Sequence, residues 1–364
     1  MSNSIHVHTQ SDDSYKYMVC NTLDEYFIRT HFPVEFSSKA IIIIDEQVCE
    51  LHGKRYIGLL EAVFRSVSVH YVPVGEASKS VMRWESLCSS ILENGISRNT
   101  PIFVIGGGVT GDLGGFVAAS VLRGVPLIHI PTTVLAMVDS SIGGKTGVNH
   151  ATGKNLIGAF YQPKVVCAEL QVLTTLPEKE WVTGLSEVLK CAFIHDPSIL
   201  DLTKKLITDV GFEHPEAWSS LISRCAQIKI DVVQKDVKEQ GVREFLNFGH
   251  TFGHAIERLG DYKTFTHGEA VFAGMIAALN MSNRLGNKVN EDILNDLIHL
   301  HSFTLESLEG NEEELIQAMF RDKKAKNEQL RLVLLKEMGL PYVTSVENLD
   351  LVRQSWTHTI NIFS

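Results

Sequence analysis

Apolar and polar positions follow two different rhythms along this chain. In the first half, short unbroken apolar runs stop abruptly at glycine, proline or aspartate. Ile41-Ile42-Ile43-Ile44 ends at Asp45, Pro101-Ile102-Phe103-Val104-Ile105 runs straight into glycines, and Val125 to Ile130 is stopped by Pro131. Runs of this kind, with no alternation, suit strands buried on both faces. Val67 to Val72 alternates and is β-rich, and Lys164 to Cys167 offers one more strand. Between them, Gly53 to Arg65, Ser80 to Leu92 and Asp112 to Leu122 can form helices. Strands alternating with helices predict a Rossmann-like α/β domain. Its sheet is mostly parallel and covered on both faces, with ligands beyond the carboxyl ends of the strands.

The rhythm changes near Leu176-Pro177. Long amphipathic patterns follow, over Glu180 to Ala192, Pro197 to Thr208, Trp218 to Lys235, His250 to Leu259, Ala270 to Arg284, Glu291 to His299 and Glu312 to Phe320. Their period is helical. Strand candidates are few, chiefly Leu330 to Leu334. The expectation is an α/β domain over residues 1–177 and a largely all-helical domain over 178–364, with the active site in the cleft between them.

Composition narrows the function classes. With 33 basic and 43 acidic side chains the formal charge is -10, which argues against nucleic acid or an anionic membrane as partner. The longest apolar stretch, Gly115 to Ile130, is interrupted by Arg123 and is too short and too charged to span a bilayer. Cys20, Cys49, Cys88, Cys167, Cys191 and Cys225 are scattered, with no CxxC pair. They predict reduced, packed thiols in a cytoplasmic protein rather than a disulfide framework or a cysteine metal site. The polar N-terminus shows no signal peptide.

Candidate chemistry begins after the second buried run. Gly106, Gly108 and Gly111 satisfy G-x-G-x-x-G within Gly106 to Gly115, a pattern that lets backbone and helix N-terminal amides approach a pyrophosphate. A tight turn into a packed helix is the plain alternative. Asp45 could contact a ribose hydroxyl or simply cap a helix. Gly75-Glu76-Ala77-Ser78-Lys79 places a carboxylate and an ammonium on a turn, and Pro131-Thr132-Thr133 exposes two hydroxyls at a strand end. Gly144-Lys145-Thr146 is not a P-loop, because Asp139 stands where that motif needs glycine. What remains from Asp139 to Asn155 is a glycine-rich loop with Lys145, Lys154 and two asparagines, suited to phosphate or carboxylate.

In the second half, Leu246-Asn247-Phe248-Gly249-His250-Thr251-Phe252-Gly253-His254 is followed by His267-Gly268-Glu269. His250 and His254 share a helical face. Glu187 and Lys190 stand one turn apart in a largely apolar segment, as a surface ion pair or as part of an enclosed site. Glu187 with His250 and either His254 or His267 makes a carboxylate-histidine set for a divalent metal. The residues alone leave that choice open.

Arg123-Gly124, Gly153-Lys154-Asn155, Gly184 through Lys190, Arg243 and Asp322-Lys323-Lys324 complete a series of motifs running over nearly the whole chain. Together with those above, they resemble the 3-dehydroquinate synthases, within the wider sugar phosphate cyclase family. The resemblance implies an N-terminal NAD-binding domain, a C-terminal helical metal domain and a homodimer. It implies Glu187, His250 and His267 as ligands of Zn2+ or Co2+, with His254 facing substrate. Lys145, Asn155, Lys190, Lys229, Arg243, Asn247 and Lys323 match the substrate-binding set, Asp139 a polar active-site residue, and Arg123 a reach into the neighbouring subunit's phosphate site. The NAD side matches Asp45, Glu76, Lys79, Gly108, Val109, Thr110, Gly111, Asp112, Thr132, Thr133, Lys145, Lys154 and Leu173, Thr174, Thr175 and Leu176.

The implied reaction is the shikimate-pathway conversion of 3-deoxy-D-arabino-heptulosonate 7-phosphate to 3-dehydroquinate and phosphate. It proceeds by transient oxidation, phosphate elimination, re-reduction, ring opening and aldol closure. Asn247 resembles the dehydroquinate branch; the 2-deoxy-scyllo-inosose branch typically carries an acidic residue there, and valiolone-forming cyclases lack the second histidine. Two other readings are a net NAD-dependent polyol dehydrogenase, which would accumulate NADH, and a binding module, which would bind without turnover.

Overall fold

The apolar runs become the centre of one sheet. The protein is described by a computed structural model over residues 13–36, 39–239, 241–261, 263–322 and 329–364. Strands follow in the order β1 (Lys16–Cys20), β2 (Lys39–Asp45), β3 (Ser66–Val72), β4 (Ile102–Gly106), β5 (Leu127–Pro131), β6 (Lys145–His150), β7 (Gly153–Phe160), β8 (Val165–Glu169), β9 (Leu330–Glu337) and β10 (Leu340–Val346). Among the described residues, six of them form a parallel sheet in the order β1-β8-β5-β4-β2-β3. Register places Ile42 beside Phe103 and Phe103 beside Ile128. Successive side chains point to opposite faces. Thus Ile42, Ile44, Phe103, Ile105 and Ile130 enter one core, while Ile41, Ile43, Val104 and Leu127 enter another. Each such burial contributes roughly 1.5–3 kcal/mol, which is why these runs carry no polar alternation.

From β2 the chain steps to β3 at one edge, whereas from β4 it steps to β5 on the other side. The topological switch point therefore lies between β2 and β4, and in such sheets the ligand crevice opens there, here beyond Asp45 and Gly106.

Helices are α1 (Glu25–His31), α2 (Glu46–Val48), α3 (Lys54–Val63), α4 (Val81–Glu93), α5 (Gly108–Ser120), α6 (Glu178–Ile194), α7 (Ser198–Asp209), α8 (Ser219–Lys235), α9 (His250–Leu259), α10 (His267–Arg284), α11 (Asn295–Ile298), α12 (Glu312–Asp322) and α13 (Leu349–Ile362). The central element of the second half is α10. It is buried from Gly268 to Ser282 and packs on α6, α9, α13 and β9. The main apolar core runs through both halves, from Phe103 and Ile130 to Val188, Phe272 and Trp356.

The structure adds β1, α1 and α13, which the sequence pattern did not predict, and differs from the expectation in four further places. The glycine-rich stretch after Asp139 is an antiparallel β6–β7 hairpin rather than a loop. Gly147 and Gly158 face each other so closely that a Cβ on Gly147 would lie 2.6 Å from the Ile157 carbonyl oxygen; the glycines that hid the strand signal allow the pairing. Helix α5 begins at Gly108 rather than Asp112, because its glycines are used for close packing: a Cβ on Gly114 would lie 2.7 Å from Val104. The helix expected over Glu291 to His299 splits into a single turn, Glu291–Leu294, and α11. Finally, β9 gains a partner, β10, so the second half is helical with one hairpin.

Candidate active site

Three elements bring the metal candidates together. Gly268 follows His267 at the start of α10, and a Cβ there would lie 2.3 Å from the Thr183 carbonyl oxygen of α6. Only glycine lets the two helices approach so closely, and this sets His267 against Glu187. On the other side, Gly249 adopts φ 78 and turns the chain into α9, where a Cβ would lie 2.7 Å from Met275 of α10. His250 is the first residue past that turn.

Glu187 is buried, and its Oε1 has no hydrogen-bond partner among the described residues. That oxygen lies 3.4 Å from His250 Nε2 and 3.6 Å from His267 Nε2. Glu187 Oε2 accepts from Lys190. Ligand atoms of the triple converge within 4.8 Å of one another. An orphaned carboxylate oxygen facing two imidazole nitrogens fits a Zn2+- or Co2+-like ion. His250 Nδ1 lies 3.1 Å from the Phe248 carbonyl oxygen, which turns its Nε2 lone pair towards Glu187. Burial and the Lys190 charge push the His250 value down to about 3. At His267, burial opposes protonation, but Glu187 and Glu257 hold it up at about 10. A metal bound there takes the place of that proton.

A second triple, His254, Glu257 and His267, also lies within 4.8 Å. Its carboxylate is engaged by Lys154, whose Nζ lies 3.3 Å from Glu257 Oε1. The orphaned oxygen belongs to Glu187, so the first triple fits the ion better.

A charged chain leads away from Glu187. Lys190 Nζ lies 3.5 Å from Asp139 Oδ1, and Lys229 Nζ lies 2.7 Å from the same oxygen. Lys229 also donates to the Asp139 carbonyl oxygen at 2.7 Å. Asp139 sits in a π-helical turn, Ala136–Ser140, just past β5. Burial works against ionisation of Glu187 and Asp139. The ammonium groups prevail, holding Glu187 at about 2 and Asp139 well below its ordinary value. Burial also works against the charge on both lysines. At Lys190 the two carboxylates win and its value rises; at Lys229 burial wins and its value falls.

Around this chain, Arg243 is buried and donates to the Val237 carbonyl oxygen at 2.6 Å. Lys145 pairs with Glu239, whose other oxygen accepts from Asn247 at 2.9 Å. Asn247 and Lys145 thus meet at Glu239.

The crevice at the switch point gathers the other set. Gly107 is the N-cap of α5 and brings no capping side chain, so the first-turn amides of Gly108, Val109 and Thr110 face the crevice. Thr110 Oγ1 and Thr132 Oγ1 are buried without a partner among the described residues, and Thr133 Oγ1 accepts from the Ala136 amide at 3.1 Å. An uncapped helix end beside unpartnered hydroxyls fits the pyrophosphate of a dinucleotide. Lys79 is buried and bonds Asp112 and Asn155. Asn149 Nδ2 donates to Glu76 Oε1 at 2.7 Å. These bonds fasten the β6–β7 hairpin to the crevice. Asp45 Oδ1 caps the next helix through the Gln47 and Val48 amides. Leu173 and Leu176 lie in or beside the turn Leu170–Thr175, with the Thr174 hydroxyl bonded to the Gln171 carbonyl oxygen and Thr175 to His52.

Gly111 lies inside α5, facing the His129 ring. Asn155 Oδ1 accepts from Lys79. Arg123 is exposed, in a turn where it and Leu122 have φ 65 and 52. Lys323 lies outside the described residues. Sequence reasoning did not single out Glu239 or Glu257. A carboxylate three residues after His254, on the helical face it shares with His250, was a usable signal for Glu257; Glu239, in a left-handed turn with φ 56, carried none.

A family model described as the 3-dehydroquinate synthase N-terminal domain matches residues 69–183, and its C-terminal counterpart matches residues 184–325. The 3-dehydroquinate synthase of Salinibacter ruber is 41% identical over 88% of each chain. That of Acinetobacter baumannii is 38% identical, over 89% of this chain and 90% of the relative. A solved 2-deoxy-scyllo-inosose synthase, complexed with carbaglucose-6-phosphate, NAD+ and Co2+, is 26% identical with a TM-score of 0.83, covering 95% of this chain and 96% of that one. The 2-epi-5-epi-valiolone synthase of Streptomyces hygroscopicus, with NAD+ and Zn2+ bound, has a TM-score of 0.85 at 22% identity, over 98% and 99% of the two chains, and shares the fold. With both halves matched by the paired models and the relatives aligned over most of their length, the chain belongs to the 3-dehydroquinate synthase family.

Proposed function

We propose that this chain converts 3-deoxy-D-arabino-heptulosonate 7-phosphate to 3-dehydroquinate and phosphate, using NAD and one divalent ion. The observation that carries this reading is the orphaned Glu187 oxygen facing two imidazoles, beside a buried run of lysines and next to a dinucleotide crevice. When bound, NAD supplies a reversible hydride acceptor and the ion a positive charge beside the reacting carbinol.

The protein's own groups do the rest. Glu187, His250 and His267 hold the ion. Gly108 to Asp112, Thr132, Thr133, Glu76, Lys79 and Lys154 hold the dinucleotide, with Asp45 and the Leu173 to Leu176 turn at its edges. Lys190, Lys229, Arg243 and Asn247 hold carboxylate and hydroxyls, and Asp139 keeps the two lysines aligned. Lys145, Asn155, His254 and Lys323 position the phosphate, which can itself accept the proton that leaves on elimination. On this reading the chain divides into residues 1–177 and 178–364, the second domain opening with α6.

The chain works in the cytoplasm as a homodimer. All six cysteines are free thiols, and no described helix is long and apolar enough to cross a membrane. Strand β7 pairs only with β6 among the described residues and exposes Leu156, Ile157 and Phe160. An open apolar edge of this kind seeks a partner, and a two-fold axis lets it pair with its own copy. Arg123 stands beside it, since Gly124 packs on Tyr161, the residue after Phe160. Phe160→Asp is expected to yield monomers in sedimentation, while Arg123→Ala stays dimeric and loses turnover. A wild-type monomer at assay concentration would remove the dimer.

The test of the reaction is phosphate release from the seven-carbon sugar phosphate, with and without chelator. Release that requires metal and leaves no net NADH supports the reading. Accumulating NADH would point to a polyol dehydrogenase, and binding without turnover to a binding module.

A further inference from the structure

Each metal candidate is held from behind by a different kind of group. Lys190 holds Glu187 and a backbone carbonyl holds His250, both through partners fixed in the helical half. His267 differs. Its backbone is fixed at the first position of α10 by a capping box, in which the Thr266 hydroxyl accepts from the Glu269 amide and the Glu269 carboxylate accepts from the Thr266 amide. Its ring is left to side chains. Nδ1 lies 3.6 Å from Glu257 Oε1, on the side opposite Glu187.

Glu257 is buried in α9, seven residues after His250 and three after His254, so the three share one face. The same Oε1 lies 3.3 Å from Lys154 Nζ. Lys154 belongs to β7, beside Asn155, which bonds Lys79 in the dinucleotide crevice. A continuous set of contacts therefore runs from the crevice through Lys79, Asn155 and Lys154 to Glu257 and the His267 ring.

We propose that Glu257 is a positioning residue that orients the His267 imidazole and ties its position to the β6–β7 hairpin, coupling the dinucleotide crevice to the metal site. This rests on the reading that Glu187, His250 and His267 hold the ion. Carboxylates behind metal-bound imidazoles fix the ring and raise its basicity, and their loss typically weakens metal binding about 10–100-fold. Coupling is reciprocal: whatever factor NAD+ adds to metal affinity, metal adds to NAD+ affinity.

The test uses the full chain and reads zinc affinity by chelator competition, with NAD+ absent or saturating and no substrate. Melting temperatures of the metal-free forms are read alongside. Glu257→Gln keeps the side chain's size and is expected to weaken zinc binding about 10–100-fold, with the metal-free melting temperature near wild type. NAD+ is expected to tighten zinc binding in wild type and to do so no longer in Glu257→Gln or Lys154→Met. Wild-type zinc affinity in Glu257→Gln overturns the proposal, as does NAD+ coupling that survives both substitutions. Glu187→Gln tests the underlying reading separately. If it keeps wild-type affinity while Glu257→Gln loses the ion, Glu257 is itself a ligand and the assigned triple is wrong.

Discussion

At the scale of single residues, the three histidines divide by what their second nitrogen and their neighbours do. His250 Nε2 faces the orphaned Glu187 oxygen at 3.4 Å, whereas His254 belongs to the alternative triple whose carboxylate is engaged by Lys154. His250→Ala is therefore expected to lose bound metal, while His254→Ala keeps it and slows turnover by on the order of 10²-fold through lost positioning. Metal content and phosphate release on the two purified variants check this; equal loss of metal from both would sink the assignment. These residues were legible in the sequence because histidines four apart beside a glycine turn are an unusual local pattern. The choice between His254 and His267 was not. It depends on Gly268 meeting Thr183 of α6, a contact between segments far apart in the chain. Glu239 was invisible for a related reason: its partners Lys145 and Asn247 come from different segments and meet only after folding.

At the scale of elements, the site depends on how closely α10 approaches α6. The atom a Gly268 Cβ would meet at 2.3 Å is a main-chain oxygen, which cannot rotate away. Gly268→Ala must push α10 outward, moving His267 from Glu187. The expected result is weaker metal binding and a lower melting temperature, the overpacking cost being typically 1–3 kcal/mol. Gly58→Ala gives the control: Gly58 lies within α3, and a Cβ there meets nothing within 4 Å. That substitution is expected to raise stability by roughly 0.4–1 kcal/mol and leave metal binding unchanged. Denaturant midpoints and zinc affinity measured on both variants test the contrast, and a Gly268→Ala protein that binds zinc like wild type would refute the packing argument. Elements with a long uninterrupted period, such as β2, β4, α8 and α9, were readable because burial alone sets their pattern. The β6–β7 hairpin and the start of α5 were not, because glycine carries no hydrophobic signal even where close packing requires it.

At the scale of the molecule, one apolar core joins the sheet to the helices, so events in either half are felt by the whole. The strand order that creates the crevice between β2 and β4 could not be read from the sequence, since periodicity shows strands but not their neighbours. Two histidines, one in each half, show how burial ties stability to pH. His129 lies in the central strand β5, and burial pushes its value down to about 4. His301, stacked on Phe272 at 4.0 Å between ring centroids, is pushed down to about 4 as well, first by burial and then by His299. Both folded values lie below the ordinary 6.5. As pH falls below that value, the unfolded chain takes up protons that the folded chain refuses. The stability is thus fully present above the ordinary value and is lost as pH falls towards the folded one. For His129 the full window corresponds to roughly 3 kcal/mol. The expected observation is a single unfolding transition whose midpoint drops as pH falls from neutral into this window, with His250 contributing to the same loss and Glu187 and Asp139 adding theirs from the ordinary carboxylate range downwards. His129→Gln and His301→Gln should each flatten that dependence, whatever they do to stability at neutral pH, because each removes one proton-binding difference. Denaturant melts of the metal-free protein across the range measure the slope directly. A slope unchanged in both variants would assign the acid sensitivity to other groups, and two separate transitions would mean that the shared core does not bind the halves into one cooperative unit.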